Sequence, residues 1–292
     1  MNSTLLGAIN PIAIELGPLQ VRWYGIIIAL GIFLAIRMST KEAEKRGLTE
    51  DDVIDVALWM IPVGFIGARL YYVLFEIGYY ITRPLEILAI WEGGIAIYGG
   101  LIAGGLTLVW FCNKRKIPVW LMLDIIAPAV LLAQAIGRWG NFINQEAHGG
   151  EVTRGFLESL FLPEFIINQM NIKGTYYHPT FLYESLWSFA GLVLILALRH
   201  RKKLFRRGEV ALTYVLWYSF GRAFIEGMRT DSLYIPGTPI RVSQLLAFIL
   251  VIGSIGLIYY RRNHVYPEVP YYTEGNAPEK KYEKQLQMKK RK

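Results

Sequence analysis

LLAFILVIGSIGLIYY, residues 245–260, carries no charged side chain. A helix needs roughly 20 predominantly apolar residues to cross the hydrocarbon core of a bilayer. Comparable runs, nearly free of charge, occur at residues 26–36, 53–74, 94–112 and 186–198. More than half of the 292 residues are apolar, which two soluble domains would also allow, but soluble cores do not need so many long apolar runs. The sequence therefore predicts a polytopic membrane protein.

The chain divides into seven such segments. We predict an all-α protein whose transmembrane helices cover residues 21–38, 53–77, 94–112, 120–137, 179–199, 209–226 and 242–260. No internal repeat in motif or spacing is visible, which argues against a transporter built from inverted repeats.

The basic residues predict the orientation of these spans, because Lys and Arg are retained on the cytoplasmic side. One set of alternate connectors carries most of them, at residues 37–46, 114–116 and 199–207 and in the tail from residue 261. The N-terminus is therefore predicted outside and the C-terminus in the cytoplasm. A count of six or eight spans would mix the basic and the non-basic connectors, so seven is favoured.

The longest external segment, about residues 138–178, is predicted to form a small extracytoplasmic cap with an amphipathic or interfacial piece at residues 156–167. Residues 1–262 would then form one membrane domain, and residues 263–292 a charged, loosely ordered cytoplasmic tail. The formal net charge is +8. Because this charge sits in the connectors and the tail, we expect contact with lipid and no nucleic-acid partner.

Three arginines in or at the ends of the predicted spans need an explanation, since an arginine at the centre of a span costs about 2.5 to 3.5 kcal/mol on insertion scales. Arg69 and Arg222 fall in the outer halves of the second and sixth spans, and Arg138 closes the fourth. Tyr24 and Tyr98 open two further spans on the same side. Each arginine alone could reach the outer headgroups and pair with a nearby carboxylate. Five polar residues at one depth favour a shared site at the outer face.

The sixth span has a polar face. Tyr218, Arg222 and Glu226 follow at intervals of four residues and Arg229 is three further on, which places them on one side of a helix. One interpretation is that Arg222 and Glu226 merely neutralise each other. The other is a guanidinium held in a fixed direction, as recognition of a phosphate oxygen requires.

Residues 137–149, GRWGNFINQEAHG, repeat Gly and Asn where a span would prefer Leu. Its glycines permit close backbone approach, Asn141 and Asn144 supply amide donors, and Glu146 adds a carboxylate. A helix-ending turn also favours Gly and Asn. A turn does not need an arginine, two asparagines and a glutamate so close together, so we predict the lining of a polar site.

Other features favour structural roles. His178 precedes a proline at a span entry and is interpreted as a structural hydrogen-bonding residue. Neither it nor His148 has a partner at metal-ligand spacing, and no nucleotide motif is present, so no metal and no cofactor are predicted. The glycines between Tyr98 and Gly105 are more typical of helix packing than of a phosphate cradle.

Residues 137–149 resemble the signature of the bacterial prolipoprotein diacylglyceryl transferases, Gly-Arg-x-Gly-Asn-Phe-x-Asn-x-Glu-x-x-Gly, at every fixed position. The resemblance extends over nearly all of the membrane domain. It implies seven spans, an outside N-terminus and a site that faces the outer leaflet of the bacterial cell membrane. It also implies transfer of the diacylglyceryl group of phosphatidylglycerol to the lipobox cysteine of a preprolipoprotein signal peptide, with formation of a thioether and release of glycerol phosphate, as the first step of lipoprotein maturation.

Carried over by position, the two arginines important in the family are Arg138 and Arg222. Further functional or site-lining positions of the family match Tyr24, Asn141, Glu146, Gly149, Glu226 and Arg229, to which the residue patterns above add Arg69, Asn144 and Tyr218. One departure concerns the third span, where Tyr98 stands in place of the His of well-studied relatives. A phenol with a reference pKa near 10 is a poor base at neutral pH, so the sequence leaves the general base open.

The implied reaction suggests a mechanism. The two arginines would stabilise charge on the departing phosphate, their positive potential would favour the incoming thiolate, and Tyr98 would donate a hydrogen bond. Two other classes of protein were weighed. In a seven-span transporter or receptor the buried arginines would bind an anionic solute or ligand without chemistry. A transporter should carry polar residues into the cytoplasmic halves of its spans, whereas the first, third, fifth and seventh spans are apolar below their outer turns. A phospholipid phosphatase would need a histidine nucleophile or an acidic metal motif on the outer side, and the sequence contains neither.

Overall fold

The computed structural model describes residues 8–17, 19–89, 93–201 and 204–265. These residues fall into two compact units, one formed by the chain up to residue 37 together with residues 126–265, the other by residues 38–125. Of the predicted tail at 263–292, residues 266–292 lie outside the described part.

The described residues are mostly helical, as predicted. The α-helices are α1 Trp23–Lys45, α2 Glu50–Phe75, α3 Ile77–Tyr80, α4 Ile97–Arg115, α5 Val119–Asn144, α6 Arg154–Ser159, α7 Glu164–Gln169, α8 Thr180–Leu198, α9 Glu209–Met228 and α10 Val242–Tyr260. A 3₁₀ helix at Pro84–Leu88 precedes α4, and a π-helical turn, Arg261–Val265, follows α10.

Five helical segments in the described residues are long and apolar enough to cross a bilayer: Trp23–Lys45, Glu50–Phe75, Val119–Asn144, Thr180–Leu198 and Val242–His264. The predicted third and sixth spans correspond to α4 and α9, which are also long helices. They are less uniformly apolar, because α4 ends in Lys114 and Arg115 while α9 contains Arg222 among other charged residues.

The prediction of an all-α protein was wrong in one respect, because short strands are present. Strands β1 Ile12–Leu16 and β2 Leu19–Arg22 form an antiparallel hairpin before α1. The cap contains a three-stranded sheet of β3 Glu151–Val152, β4 Asn171–Ile172 and β5 Thr175–Tyr177, in the order β3-β5-β4. Strands of two to five residues are too short to show the alternation by which a sequence predicts them.

In the unit of residues 38–125, α2 and α4 pack closely. A Cβ atom added to Gly67 would lie 2.8 Å from the carbonyl oxygen of Gly99, so both helices need a small residue at this crossing. Arg115 also binds Asp55 at 2.6 Å. The packing role predicted for the glycines that follow Tyr98 is thus confirmed for Gly99.

In the other unit, two tryptophans join α8 to α9. The indole nitrogen of Trp187 donates to the carbonyl of Trp217 at 2.9 Å, that of Trp217 donates to the carbonyl of Trp187 at 2.8 Å, and the rings stack with centroids 4.4 Å apart. Each indole occupies the space beside a glycine of the other helix, Trp187 beside Gly221 and Trp217 beside Gly191. This reciprocal pair prevents α8 from sliding along α9.

The cap has a hydrophobic core of its own, formed by Phe142, Leu157, Ile166, Ile167, Met170 and Phe181. The apolar stretch predicted to lie at the interface therefore folds as α6 and α7 and buries Leu157, Ile166 and Ile167 inside the cap. Only part of it, including Phe161 and Phe165, is exposed. The cap rests directly on the end of α5, which supplies Phe142.

Candidate functional site

Arg138 lies on α5, which runs seven residues further than the predicted fourth span and ends at Asn144. The polar stretch is therefore helical up to Asn144 and turns only at Gln145 and Ala147, where φ is positive. Arg138 and Asn141 are neighbours on one face, with Nη1 of Arg138 3.4 Å from Oδ1 of Asn141. The alternative interpretation of residues 137–149 as a helix-ending turn is therefore wrong for residues 137–144, which are helical.

Glu184 on α8 is the centre of a cluster of arginines. Its Oε2 lies 2.5 Å from Nη2 of Arg138, and its Oε1 lies 3.0 Å from Nη1 of Arg222 and 3.6 Å from Nη1 of Arg229. The Glu184 side chain is only 6% exposed, whereas those of Arg138 and Arg222 are 20% and 17% exposed. The carboxylate thus holds the arginines from the buried side.

The predicted polar face of α9 is present. Arg222 pairs with Glu226 at 2.5 Å, as the spacing of four residues predicts. Arg229, just after the helix, binds both oxygens of Asp231, at 2.9 and 2.6 Å. Tyr218 stands one turn before Arg222 and stacks on Tyr214.

The electrostatics of the cluster differ from the expectation of a positive potential. Three guanidinium groups, those of Arg138, Arg222 and Arg229, face three carboxylates, those of Glu184, Glu226 and Asp231, so the formal charges cancel. The hydrogen bond from Arg229 holds the pKa of Asp231 below its usual value. Burial acts to lower the pKa of Arg229, but the hydrogen bond and the charge of Asp231 outweigh it, so this pKa is raised. These two groups therefore remain ionised at neutral pH.

Glu146 gathers the two asparagines of the signature. Its Oε1 accepts a hydrogen bond from Nδ2 of Asn141 at 2.9 Å and lies 3.5 Å from Nδ2 of Asn144, and its main-chain nitrogen donates to the carbonyl of Asn141. Tyr24, at the start of α1, packs against Gly140, where an added Cβ atom would come within 2.6 Å of the phenol ring. Gly140 is thus required by the contact with Tyr24 and not by a turn.

Gly149 joins the cap to the end of α9. Its main-chain nitrogen donates to the carbonyl of His178 at 3.0 Å, and that of Gly150 donates to the carbonyl of Met228 at 3.1 Å. A Cβ atom at Gly149 would lie 2.6 Å from Cβ of His178 and 3.2 Å from the carbonyl oxygen of Met228. Only glycine allows this approach, which also pairs Gly149 with Arg229 in a β-bridge.

The two histidines of the cap have structural surroundings. The ring of His148 packs at a tilt of 40° against that of Tyr177, with centroids 4.1 Å apart. Nδ1 of His178 lies 3.3 Å from the hydroxyl of Tyr183, and burial lowers the pKa of this imidazole. The contact with Tyr183 fits the structural interpretation of His178.

Arg69 and Tyr98 belong to the unit of residues 38–125. The buried guanidinium of Arg69 binds four main-chain carbonyls, those of Glu86, Ile87, Gly93 and Gly94, at 2.5 to 2.9 Å. Arg69 therefore ties residues 86–87 and 93–94, on the way from α3 to α4, to α2. Tyr98 lies in the first turn of α4 and is partly buried.

A model of the family described as prolipoprotein diacylglyceryl transferase matches residues 11–260, which is most of the chain. The chain belongs to the prolipoprotein diacylglyceryl transferase family. Membership in this family of transferases, together with the five long apolar helices, makes it a multi-pass membrane protein.

Relatives within the family are similar over their whole length. The phosphatidylglycerol–prolipoprotein diacylglyceryl transferase of Lactobacillus johnsonii is 59% identical over 270 residues, which cover 92% of this chain and 96% of that protein. Proteins of the same name from Lactobacillus acidophilus and Lactiplantibacillus plantarum are 58% and 53% identical, over 92% and 94% of this chain and 95% and 97% of theirs.

In this member of the transferase family, the residue that sequence reasoning left out of the site is Glu184. It lies in the part of the chain that the family resemblance covers, but no pattern linked it to the arginines, because it is 46 residues from Arg138 and 38 from Arg222. Its place in the first turns of a predicted span was a usable signal. A carboxylate there must find a cationic partner, as any charge inside a membrane must.

Proposed function

We propose that this chain transfers the diacylglyceryl group of phosphatidylglycerol to the thiol of the lipobox cysteine of a preprolipoprotein. The products are a thioether-linked lipid and glycerol phosphate, and the reaction is the first step of lipoprotein maturation. The names of the relatives state the lipid and the protein substrate. In the chain itself, the observation that carries the proposal is the bridge by which Glu184 holds Arg138 and Arg222 together.

The chemistry explains why such a bridge is useful. The sulfur attacks the glyceryl carbon, the carbon–oxygen bond to phosphate breaks, and charge grows on the departing phosphate monoester. A guanidinium offers up to five N–H donors in a rigid plane. Glu184 engages Arg138 and Arg222 from the buried side, Asn141 lies near Arg138, and Glu226 pairs with Arg222. Only the N–H groups that these contacts do not use are left for the phosphate oxygens. Each arginine would stabilise the departing charge by about 3 to 4 kcal/mol, by analogy with the loss of one oxyanion donor.

Because the formal charges of the cluster cancel, we attribute stabilisation of the departing phosphate to directed hydrogen bonds from the arginines. A free cysteine titrates near 8.5, so only a few per cent is thiolate at pH 7, and its proton must leave during the reaction. With three carboxylates beside the arginines, a general positive potential contributes little to forming the thiolate. A proton acceptor is therefore needed, and we propose Tyr98 as a hydrogen-bond donor to lipid or phosphate rather than as this acceptor.

The remaining residues would line the substrate path. Asn141, Asn144 and Glu146 form a connected set of amides and a carboxylate next to Arg138, suited to the hydroxyl groups of a glycerol headgroup. Tyr24 packs at Gly140 on the same helix end, and Tyr218 lies one turn from Arg222. Gly149, Glu226 and Arg229 are further residues proposed to bind the substrate, and the same role for Arg69 stays a prediction.

The membrane arrangement is also a proposal in its finer points. We propose seven spans in the bacterial cell membrane, with the N-terminus and the cap at residues 138–178 outside and the C-terminus in the cytoplasm. Seven long helices among the described residues and the basic residues of alternate connectors support this arrangement. Cysteines placed singly at Ser159 and at His264 test this topology, because a membrane-impermeant thiol reagent should label only the first in intact cells. Labelling of position 264 alone would contradict it.

The assignment is tested by transfer of radiolabelled glyceryl from phosphatidylglycerol to a lipobox peptide. Arg138→Gln and Arg222→Gln should each abolish transfer while the protein still inserts in the membrane. The matched control is Arg154→Gln, since Arg154 is an exposed cap arginine paired with Glu158 and Glu164. Other phospholipids should not replace phosphatidylglycerol. Unimpaired transfer in both site variants would refute the site, and no transfer by the wild type would refute the function.

A further inference from the structure

Arg241 stands at the entry of α10, and its side chain reaches back to the end of α9. Nη1 donates to the carbonyl of Glu226 at 2.8 Å, Nη2 lies 3.4 Å from the carbonyl of Arg229, and Nε donates to the hydroxyl of Tyr234 at 3.1 Å. The guanidinium also lies 5.6 Å from the centre of the Tyr234 ring. Nη1 is thus directed at the last turn of α9, and the other two nitrogens at the segment that follows it.

The partners of Arg241 are two carbonyls and a phenol and, in the described ranges, not a carboxylate. The last carbonyls of a helix lack partners within the helix and carry its negative dipole end. A cation that donates to them stabilises the helix end and fixes the direction in which the chain leaves it. Arg241 therefore acts as a C-terminal cap on α9 that is supplied from α10.

This cap acts on residues of the candidate site. The two carbonyls belong to Glu226, which pairs with Arg222, and to Arg229, which reaches Glu184 and Asp231. The carbonyl of Glu226 also lies near the hydroxyl of Ser232, and the amide of Val242 donates to the carbonyl of Leu233. The segment from residue 229 to residue 242 is thus tied at both ends next to the arginine cluster.

We propose that Arg241 is a positioning residue of the transferase site, which rests on the proposed function. By capping α9 it holds the main chain of Glu226 and Arg229, so that the Arg229 side chain meets Glu184 and Arg222 keeps its pair with Glu226. Arg241 does not contact the substrate. It acts through Arg229 and the end of α9.

The variants are Arg241→Met, which keeps the length of the side chain and removes its donors, and Arg241→Lys, which keeps the charge but offers donors from a single nitrogen. Arg83→Met is a closely matched control. Arg83 also lies over a tyrosine ring, that of Tyr79 at 4.9 Å, and donates to its hydroxyl at 2.9 Å. The other partner of its side chain, among the described residues, is the carboxylate of Glu86 at 3.5 Å, outside the arginine cluster.

Transfer kinetics with phosphatidylglycerol give the first readout. Arg241→Met should lower kcat/KM about tenfold or more, mainly through kcat, because a displaced charged group loses its alignment with the transition state. Arg241→Lys should recover part of the loss, and Arg83→Met should change little. In an Arg229→Met background, the further loss from Arg241→Met should shrink to about twofold or less, because the two residues act in one chain of contacts.

Hydrogen exchange gives a readout that does not depend on activity. Amides between residues 229 and 242 should exchange faster in Arg241→Met than in the wild type, while those of α8 should not change. Faster exchange with unaltered kcat/KM, or full and independent losses in the double variant, would overturn the positioning role. A wild type inactive with phosphatidylglycerol would instead refute the proposed function, and unchanged exchange would then separately refute the capping by Arg241.

Discussion

Oε1 of Glu184 on α8 lies 3.0 Å from Nη1 of Arg222 on α9, although the two residues are 38 positions apart in the chain. The other oxygen of the same carboxylate binds Arg138 at the end of α5. The Glu184 side chain therefore joins α8 to α9 and to α5, near the end of α5 where the signature residues lie. Since each oxygen of this carboxylate contacts one arginine, Glu184 determines how far apart the guanidinium groups of Arg138 and Arg222 lie.

Glu184→Gln should separate the two arginines. The amide of Gln keeps the shape of the carboxylate, but its NH₂ group cannot accept a hydrogen bond from the guanidinium that it faces. Breaking a buried ion pair in this way costs about 3 kcal/mol of unfolding free energy. Transfer activity should fall about a hundredfold or more. Activity and thermal unfolding in detergent measure both effects. The control Glu158→Gln removes an exposed partner of Arg154 and should alter stability by about 0.5 kcal/mol or less. Equal effects of the two variants would contradict this role.

Gly149→Ala should displace the cap from the end of α9. The added methyl group meets His178, Thr180 and the main chain of Met228, and relieving such a contact costs about 1 to 3 kcal/mol. The adjacent Gly150→Ala is the control, since a Cβ atom there has nothing within 4 Å. Thermal unfolding and transfer should both be impaired in the first variant only. Equal behaviour of the two would show that close approach is not the reason for the glycine.

Trp187→Phe removes one of the two indole hydrogen bonds between α8 and α9. We expect a loss of about 1 to 2 kcal/mol of unfolding free energy, from one hydrogen bond and part of a ring contact. Combined with Trp217→Phe, the losses should not add, with a coupling of about 1 kcal/mol. The control is Trp110→Phe, because Trp110 meets Trp59 edge-on and is half exposed. Additive losses for the central pair would speak against the reciprocal arrangement.

Asp231 should make stability depend on pH in the acid range. Its pKa is lowered in the folded protein by the hydrogen bond from Arg229, so the folded state favours the ionised carboxylate. The resulting stability is present above the usual aspartate pKa, near 3.8, and is lost as pH falls through the folded value. The thermal midpoint of the wild type should therefore fall more steeply below about pH 4 than that of Asp231→Asn. The difference will be small, since the side chain is half exposed, and parallel curves would exclude it.

Tyr98→Phe tests the role of the residue that replaces histidine in the third predicted span. A hydrogen-bond donor contributes modestly, so transfer should fall by about tenfold and not disappear. Kinetics of Tyr98→Phe and of Tyr98→His with the same lipobox peptide provide the measurement. A near-complete loss in the first variant, reversed in the second, would favour proton transfer at this position instead.

Local patterns in the sequence predicted the local contacts of the site. Arg222 and Glu226 are four residues apart on a helix, so their pair follows from helix geometry alone. The bridge through Glu184 could not be predicted in this way, because it depends on how α8 packs against α5 and α9. Gly140 suggested a helix end, yet it serves the contact with Tyr24 inside a continuing helix. A glycine in a sequence indicates that a side chain would not fit at that position, but it does not reveal which neighbouring group occupies the space.

The fold was predictable to a similar degree. Long apolar runs predicted the long helices, because burial in lipid needs many apolar residues in succession. The apolar signal is weaker in two helices. Helix α4 contains the packing glycines and ends in basic residues, and α9 contains charged residues of the candidate site. Arg69 was grouped with the site by its depth in a span. Its four carbonyl partners are main-chain atoms, and no side-chain pattern reveals such partners.

The indole pair of α8 and α9 sets a condition on how this sequence can change over time. Trp187 fits because residue 221 is glycine, and Trp217 fits because residue 191 is glycine. A larger residue at either glycine is tolerated only if the opposite indole is lost as well. These four positions should therefore vary together among descendants of this chain, and single substitutions among them should be rarer than paired ones.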